Sequence, residues 1–139
     1  MFWVSLKYTR TVDVIKHVID RLINCIGFGL EALLKYAKEK KLAASIPENA
    51  GLRCDLLKKT FPENLELIDY INFYLRLRKL SKAEYTRREE FRRHVTMIAT
   101  IDKGEVVEVS IDSLKEDYER TRNFLSFVKK TIYEEKEEH

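Results

Sequence analysis

A mostly α-helical fold, an antiparallel up-and-down bundle of four helices with an extra short helix and one β-hairpin before the last helix, is predicted by three features of this chain. Apolar residues recur at steps of three and four over long stretches, a period-two alternation is confined to residues 95–111, and only four Gly and two Pro interrupt the pattern. At 139 residues the chain fits one domain, large enough to bury about two thirds of its unfolded surface.

The first helix runs over about Val12–Leu42, with Ile15, Val18, Ile19, Leu22, Ile26, Leu30, Leu33 and Ala37 on one face. A second stripe, Val14, Cys25, Phe28, Ala32 and Tyr36, widens that face beyond what one neighbour covers, which predicts a central helix or a homodimer interface. Gly27 and Gly29 each cost the helix about 1 kcal/mol against Ala, so close approach of another helix is expected there. The segment Ser45–Gly51 breaks the pattern, and a short helix with Leu52, Leu56 and Leu57 inward follows to Thr60. Thr60-Phe61-Pro62-Glu63 reads as a capping box opening the next helix, with Leu65, Ile68, Leu75 and either Ile71 or Asn72 facing the core to about Leu80. A second capping box, Ser81-Lys82-Ala83-Glu84, kinks or restarts the helix, which continues to about Arg93.

Val95, Met97, Ala99 and Ile101 then alternate with His94, Thr96, Ile98 and Thr100, and Val107, Val109 and Ile111 with Val106, Glu108 and Ser110, while Asp102-Lys103-Gly104 supplies the turn of a hairpin over about 95–110. Ser113-Leu114-Lys115-Glu116 resembles another capping box. It opens a last amphipathic helix with Leu114, Tyr118, Thr121, Leu125, Val128 and Ile132 on one face, and an acidic tail occupies residues 134–139.

Composition narrows the function classes. The apolar stretch Val14–Ala37 carries Lys16, His17, Asp20, Arg21, Glu31 and Lys35, too many charges for a bilayer span, so no membrane partner is expected. The opening MFWVSLKYTR has no long apolar run and no small-residue cleavage site, which makes the cytoplasm the expected compartment. Cys25 and Cys54 are read as buried free thiols, with a disulfide as the alternative. A charged fraction of 35%, rich in Lys, Arg and Glu with no Gln, is typical of thermophile proteins. The net charge of +3 does not by itself point to nucleic acid.

The chemistry-bearing residues gather in one segment. Arg76, Arg78, Lys79, Lys82, Arg87, Arg88, Arg92 and Arg93 are opposed locally only by Glu84, Glu89 and Glu90, and His94 closes the run. As a solvated helix face this charge is partly self-neutralised by i, i+4 pairs, and a terminal histidine interacts favourably with a helix C-terminus. The functional reading is RNA cleavage: the histidine moves protons between the 2′-hydroxyl and the leaving 5′-oxygen while arginine stabilises charge on the scissile phosphate. His17 and Asp20 lack further ligands at metal-site spacing and are read as surface groups near Arg21, so no metal is expected. There is no glycine-rich phosphate loop and no Ser/His/Asp pattern, so no nucleotide cofactor is expected. Tyr70, Phe73, Tyr74 and Tyr85 read as core and rim residues, with base stacking as the alternative.

The order long helix, short helix, Arg-bearing helix, His, short connection and final amphipathic helix resembles HEPN domains, and the whole chain resembles a small archaeal family with HEPN-like helices. Two windows carry the likeness: Arg88 with five residues before His94, and Arg87 with six. The resemblance implies a metal-independent endoribonuclease or RNA-binding protein, often a homodimer, with an antitoxin-like protein as a further partner. In that reading Arg88 and Arg87 stabilise the phosphate, His94 moves protons, and Arg92, Arg93 and Lys82 hold the RNA backbone. Arg88 is followed by Glu89 rather than the Asn, Asp or His usual there. A non-catalytic dimerisation or interaction module is therefore the second expectation.

Overall fold

A computed structural model describes residues 11–137. Among them lie four helices and three strands: α1 (Val12–Glu39), α2 (Ala50–Thr60), α3 (Leu65–Lys82), β1 (Glu84–Arg88), β2 (Thr96–Ile101), β3 (Glu105–Ser110) and α4 (Ile111–Glu137). The leader expectation for the first ten residues and the end of the acidic tail, residues 138–139, lie outside the described residues. No described helix is long and apolar enough to cross a membrane. The chain is mostly helical as expected, but its strand element is a three-stranded antiparallel sheet in the order β1-β2-β3 rather than a hairpin. The segment expected to stay helical to Arg93 leaves the helix at Lys82 and becomes β1.

Two compact units divide the described residues, one drawn from 11–23 and 76–120, the other from 24–75 and 121–137. In the first, Val12, Ile15, Val18, Ile19 and Leu22 of α1, Leu77 and Leu80 of α3, Met97, Ala99 and Val109 of the sheet, and Leu114 of α4 are buried. Thr11 caps α1, its hydroxyl accepting the Val14 N–H at 3.3 Å. The hairpin register pairs Met97 with Val109 and Ala99 with Val107, which brings the apolar alternation of both strands to one face. β1 adds Tyr85 and Arg87 to that face, opposite Ala99 and Met97, and Thr86 and Arg88 to the other, opposite Ile98 and Thr96. The start of α4 is a capping box shifted three residues from the expected one. Ser110 Oγ accepts the Ser113 N–H at 3.2 Å while Ser113 Oγ accepts the Ser110 N–H at 2.9 Å.

The second unit is built on aromatic and aliphatic packing. Phe124 is fully buried, with the rings of Tyr70 and Phe127 at centroid distances of 5.1 and 6.5 Å. Gly29 meets that cluster: a β-carbon there would lie 2.6 Å from Phe124 Cε2, so only glycine lets the helices come this close. Gly27 has no such need, since a β-carbon would sit 3.7 Å from Tyr74 Oη, an ordinary contact. The end of α1 is a Schellman motif, in which Leu42 N–H donates to Ala37 O at 2.8 Å and Lys41 N–H to Lys38 O at 3.1 Å. Lys41 takes the left-handed position, φ 60°, where glycine is favoured.

Several helix assignments shift by a residue or more. Thr60 does not open α3; its hydroxyl donates to Leu56 O at 2.7 Å inside α2, and Asn64 caps α3 by accepting the Leu67 N–H at 3.1 Å. Leu65, Leu52 and Leu125 are 73%, 57% and 40% exposed, not inward, and the buried places belong to Leu67, Leu57 and Phe124. Ile71, not Asn72, faces the core. Both cysteines are free thiols, but only Cys54 is buried and Cys25 is exposed.

Candidate functional site

The sheet and its loops place the predicted residues on two faces. Residues alternate sides along a strand, so neighbouring Arg87 and Arg88 point opposite ways. Arg87 lies on the apolar face at the sheet edge, where Nη2 donates to Asp13 Oδ1 at 3.0 Å and Nη1 to Glu90 Oε1 at 3.1 Å. Its guanidinium carbon stands 5.5 Å from the centre of the Tyr85 ring, which also receives Lys16 Nζ at 4.9 Å. The hydrogen bonds to Asp13 and then Glu90 raise the pKa of Arg87 further above its ordinary value, so this residue is a fixed charge tying β1 to the first turn of α1.

Arg88 faces the other way, into a cleft of about 330 Å³. The cleft is lined by Arg88 of β1, Glu89, Arg93 and His94 of the connecting loop, Thr96 of β2, Glu108 and Ser110 of β3, and Ile111 and Asp112 at the start of α4. Arg88 Nη1 meets Glu108 Oε1 at 2.7 Å across the sheet, which holds the guanidinium at the wall. Thr96, 5% exposed, donates its hydroxyl to His94 O at 2.8 Å, and so anchors the loop backbone next to the imidazole. His94 itself is exposed. Instead of ending a helix, it stands in the turn just before β2.

Of the six residues singled out in the sequence, Arg88, Arg93 and His94 therefore share one solvent-open cleft, while Arg87 is on the opposite face of the sheet. Arg92 is exposed on the same loop and Lys82 on the last residue of α3, and neither lines the cleft. Three carboxylates that sequence reasoning did not single out as site residues, Glu89, Glu108 and Asp112, line it too. For Glu108 the signal was period two: once β3 is a strand beside β2, it falls opposite Ile98, on the face that carries Arg88. Two guanidiniums facing three carboxylates leave the lining without the positive excess that draws polyanions by field alone, so selectivity there rests on placement of groups.

The arrangement supplies an imidazole and carboxylates for proton transfer, with guanidiniums and the N-terminus of a 27-residue helix for a developing anion. Among the described residues no three His, Cys, Asp or Glu side chains are grouped to hold a metal ion. On the second turn of α4, half-buried Asp117 has its carboxyl pushed up to about 6 by burial, against the pull of Arg120. It is not among the residues lining the cleft. No family model, no curated protein and no solved structure matches this chain.

Proposed function

We propose that the cleft is an RNA site and that the protein is a metal-independent endoribonuclease. The observation that carries this reading is the convergence of Arg88, Arg93 and His94 on one open cleft together with the carboxylates of Glu89 and Asp112. A cleft carboxylate, Glu89 or Asp112, takes the proton of the 2′-hydroxyl as it attacks phosphorus. His94 gives a proton to the departing 5′-oxygen, and Arg88 and Arg93 neutralise the charge that builds on the phosphoryl oxygens. The pairing of Arg88 with Glu108 fixes the guanidinium before substrate arrives, which spares reorganisation in the transition state. The proposal keeps the Arg88 and His94 window of the HEPN resemblance and rests on the cleft itself, with the arginine on a strand and the histidine in a turn.

Incubation of purified protein with several RNAs in excess chelator tests it. Cleavage leaving 2′,3′-cyclic phosphate ends, and falling roughly 100-fold or more in folded His94→Ala, is the expected outcome. Intact RNA, or cleavage indifferent to His94→Ala, refutes it.

A second reading, a dimerising interaction module, is favoured by one observation. Phe28 is 71% exposed on α1 and Cys25, one turn before it, is exposed too. Sedimentation of wild type against Phe28→Glu tests that reading separately. It predicts a dimer that the charge dissociates, and a wild-type monomer at high concentration contradicts it.

A further inference from the structure

The loop between β1 and β2 carries a side chain that folding does not explain. Phe91 is 77% exposed, more than any other large apolar side chain among the described residues. It also sits at φ 64°, and Glu89 two residues earlier at φ 54°, in the left-handed region that side chains with a β-carbon adopt at a cost. The loop is nevertheless ordered by its own hydrogen bonds, Arg92 N–H to Glu89 O and Val95 N–H to Arg92 O, both 3.1 Å. A strained backbone that holds an aromatic ring out into solvent is a display. Arg92 and Arg93 follow it directly; both are exposed, and among the described residues neither pairs with a carboxylate.

We propose that Phe91 is a stacking platform for an unpaired base, with Arg92 and Arg93 on the adjoining phosphates, so that the cleft takes single-stranded rather than duplex RNA. The inference rests on reading the cleft as an RNA site and adds its substrate class. A ring that stacks on a base needs that base's face, which a duplex keeps buried between neighbouring pairs. The two flanking guanidiniums match the backbone on either side of such a base. Phe91 and His94 are three positions apart, at most about 11 Å between α-carbons, so the stacked base and the phosphate at His94 belong to neighbouring nucleotides. A lipid surface fits less well, because one apolar side chain beside Glu89 and Glu90 offers too little burial to anchor a protein.

The test is the affinity of a labelled oligoribonucleotide, single-stranded and annealed, for wild type and for Phe91→Gly, Phe91→Leu and Phe91→Trp at one salt concentration. Phe91→Gly suits the left-handed backbone and so keeps the fold. Wild type is expected to prefer the single strand, Phe91→Gly and Phe91→Leu to weaken it by roughly 5- to 100-fold, and Phe91→Trp to match wild type with its indole emission changed by RNA. Equal affinity for duplex, or a Phe91→Leu protein as tight as wild type, overturns the stacking inference. So does binding to phosphatidylserine vesicles without binding to RNA. If His94→Ala abolishes cleavage while Phe91→Gly leaves affinity unchanged, stacking alone is overturned. Phe91-dependent binding of single strands without cleavage supports stacking and refutes only the catalytic reading.

Discussion

Alanine at Gly29 and at Gly27 is expected to move stability in opposite directions, although the two glycines are two residues apart in one helix. Each substitution removes a helix-interior glycine, a gain of about 1 kcal/mol from propensity alone. At Gly27 nothing opposes that gain, because the nearest foreign atom to the new methyl is Tyr74 Oη at 3.7 Å. At Gly29 the methyl would stand 2.6 Å from Phe124 Cε2 and 3.2 Å from Cζ. Carbon pairs settle at about 3.5–4.0 Å, so the ring must retreat by close to an ångström. It has little room to do so, being fully buried with Tyr70 at 5.1 Å and Phe127 at 6.5 Å between ring centres. Overpacking of this kind costs about 1–3 kcal/mol, which leaves Gly29→Ala destabilised by roughly 1 kcal/mol net. For a chain of 139 residues that is a shift of about 3–5 °C in melting temperature, downward for Gly29→Ala and upward for Gly27→Ala. Thermal unfolding followed by far-UV circular dichroism reads both. In Phe124→Leu, where the ring is gone, Gly29→Ala should turn favourable, a coupling that a double-mutant cycle measures. If both alanines stabilise the wild-type background, Phe124 is not wedged against α1 and the packing argument fails.

Other outcomes follow from the caps and from the half-buried carboxyl. Lys41→Gly relieves the left-handed backbone at the end of α1 and should raise stability by about 1 kcal/mol in a urea titration; a loss would mean that the lysine side chain has a role of its own. Ser110→Ala removes the acceptor for the Ser113 N–H at the start of α4 and should cost about 1 kcal/mol, with no change if water replaces the hydroxyl fully. Burial pushes the Asp117 carboxyl up to about 6 in the folded protein, against 3.8 for an ordinary aspartate. The folded state therefore binds its proton more tightly, and the associated stability is present below about pH 4 and lost as pH rises through 6. Asp117→Asn should accordingly gain on wild type between those limits, on the order of 1 kcal/mol once solvent screening of the partly exposed group is allowed for. A gap in melting temperature that does not widen from acid to neutral pH contradicts the assignment.

The parts of the fold readable from sequence are those where one local pattern suffices. In α1 the eight residues expected inward, Ile15 through Ala37, are all buried, because a long helix against one core repeats its contact every three or four residues. The β2–β3 hairpin was readable for the same reason at period two. In α3 the pattern misleads, since Leu65, Leu67, Ile68, Ile71, Phe73 and Tyr74 surround the helix and no period selects Leu67 over Leu65. β1 was unreadable for a deeper reason. Glu84-Tyr-Thr-Arg-Arg88 with the Glu and Arg that follow is good helix sequence, and what makes it a strand is its partner: Thr96–Thr100 in β2. Contacts of Tyr85 with Lys16 and of Arg87 with Asp13 in α1 hold it there, from residues about seventy positions away.

That one change of element reorganises the candidate site. On a helix, Arg87 and Arg88 both stay near the end that carries His94; on a strand they part, and only Arg88 remains with it. The residue types Arg and His were visible in the sequence, whereas Glu108 and Asp112 join the site only through the register of β3 and the turn into α4.

The comparison of Arg87→Ala with Arg88→Ala tests the account most directly, because these adjacent residues have the same chemistry and differ only in the face of the sheet they occupy. RNA cleavage in chelator by the two variants, each confirmed folded, should be near wild type for Arg87→Ala and fall at least 100-fold for Arg88→Ala, about 2.7 kcal/mol of transition-state stabilisation. Equal loss in both, or loss in Arg87→Ala alone, would contradict the assignment of catalysis to the cleft.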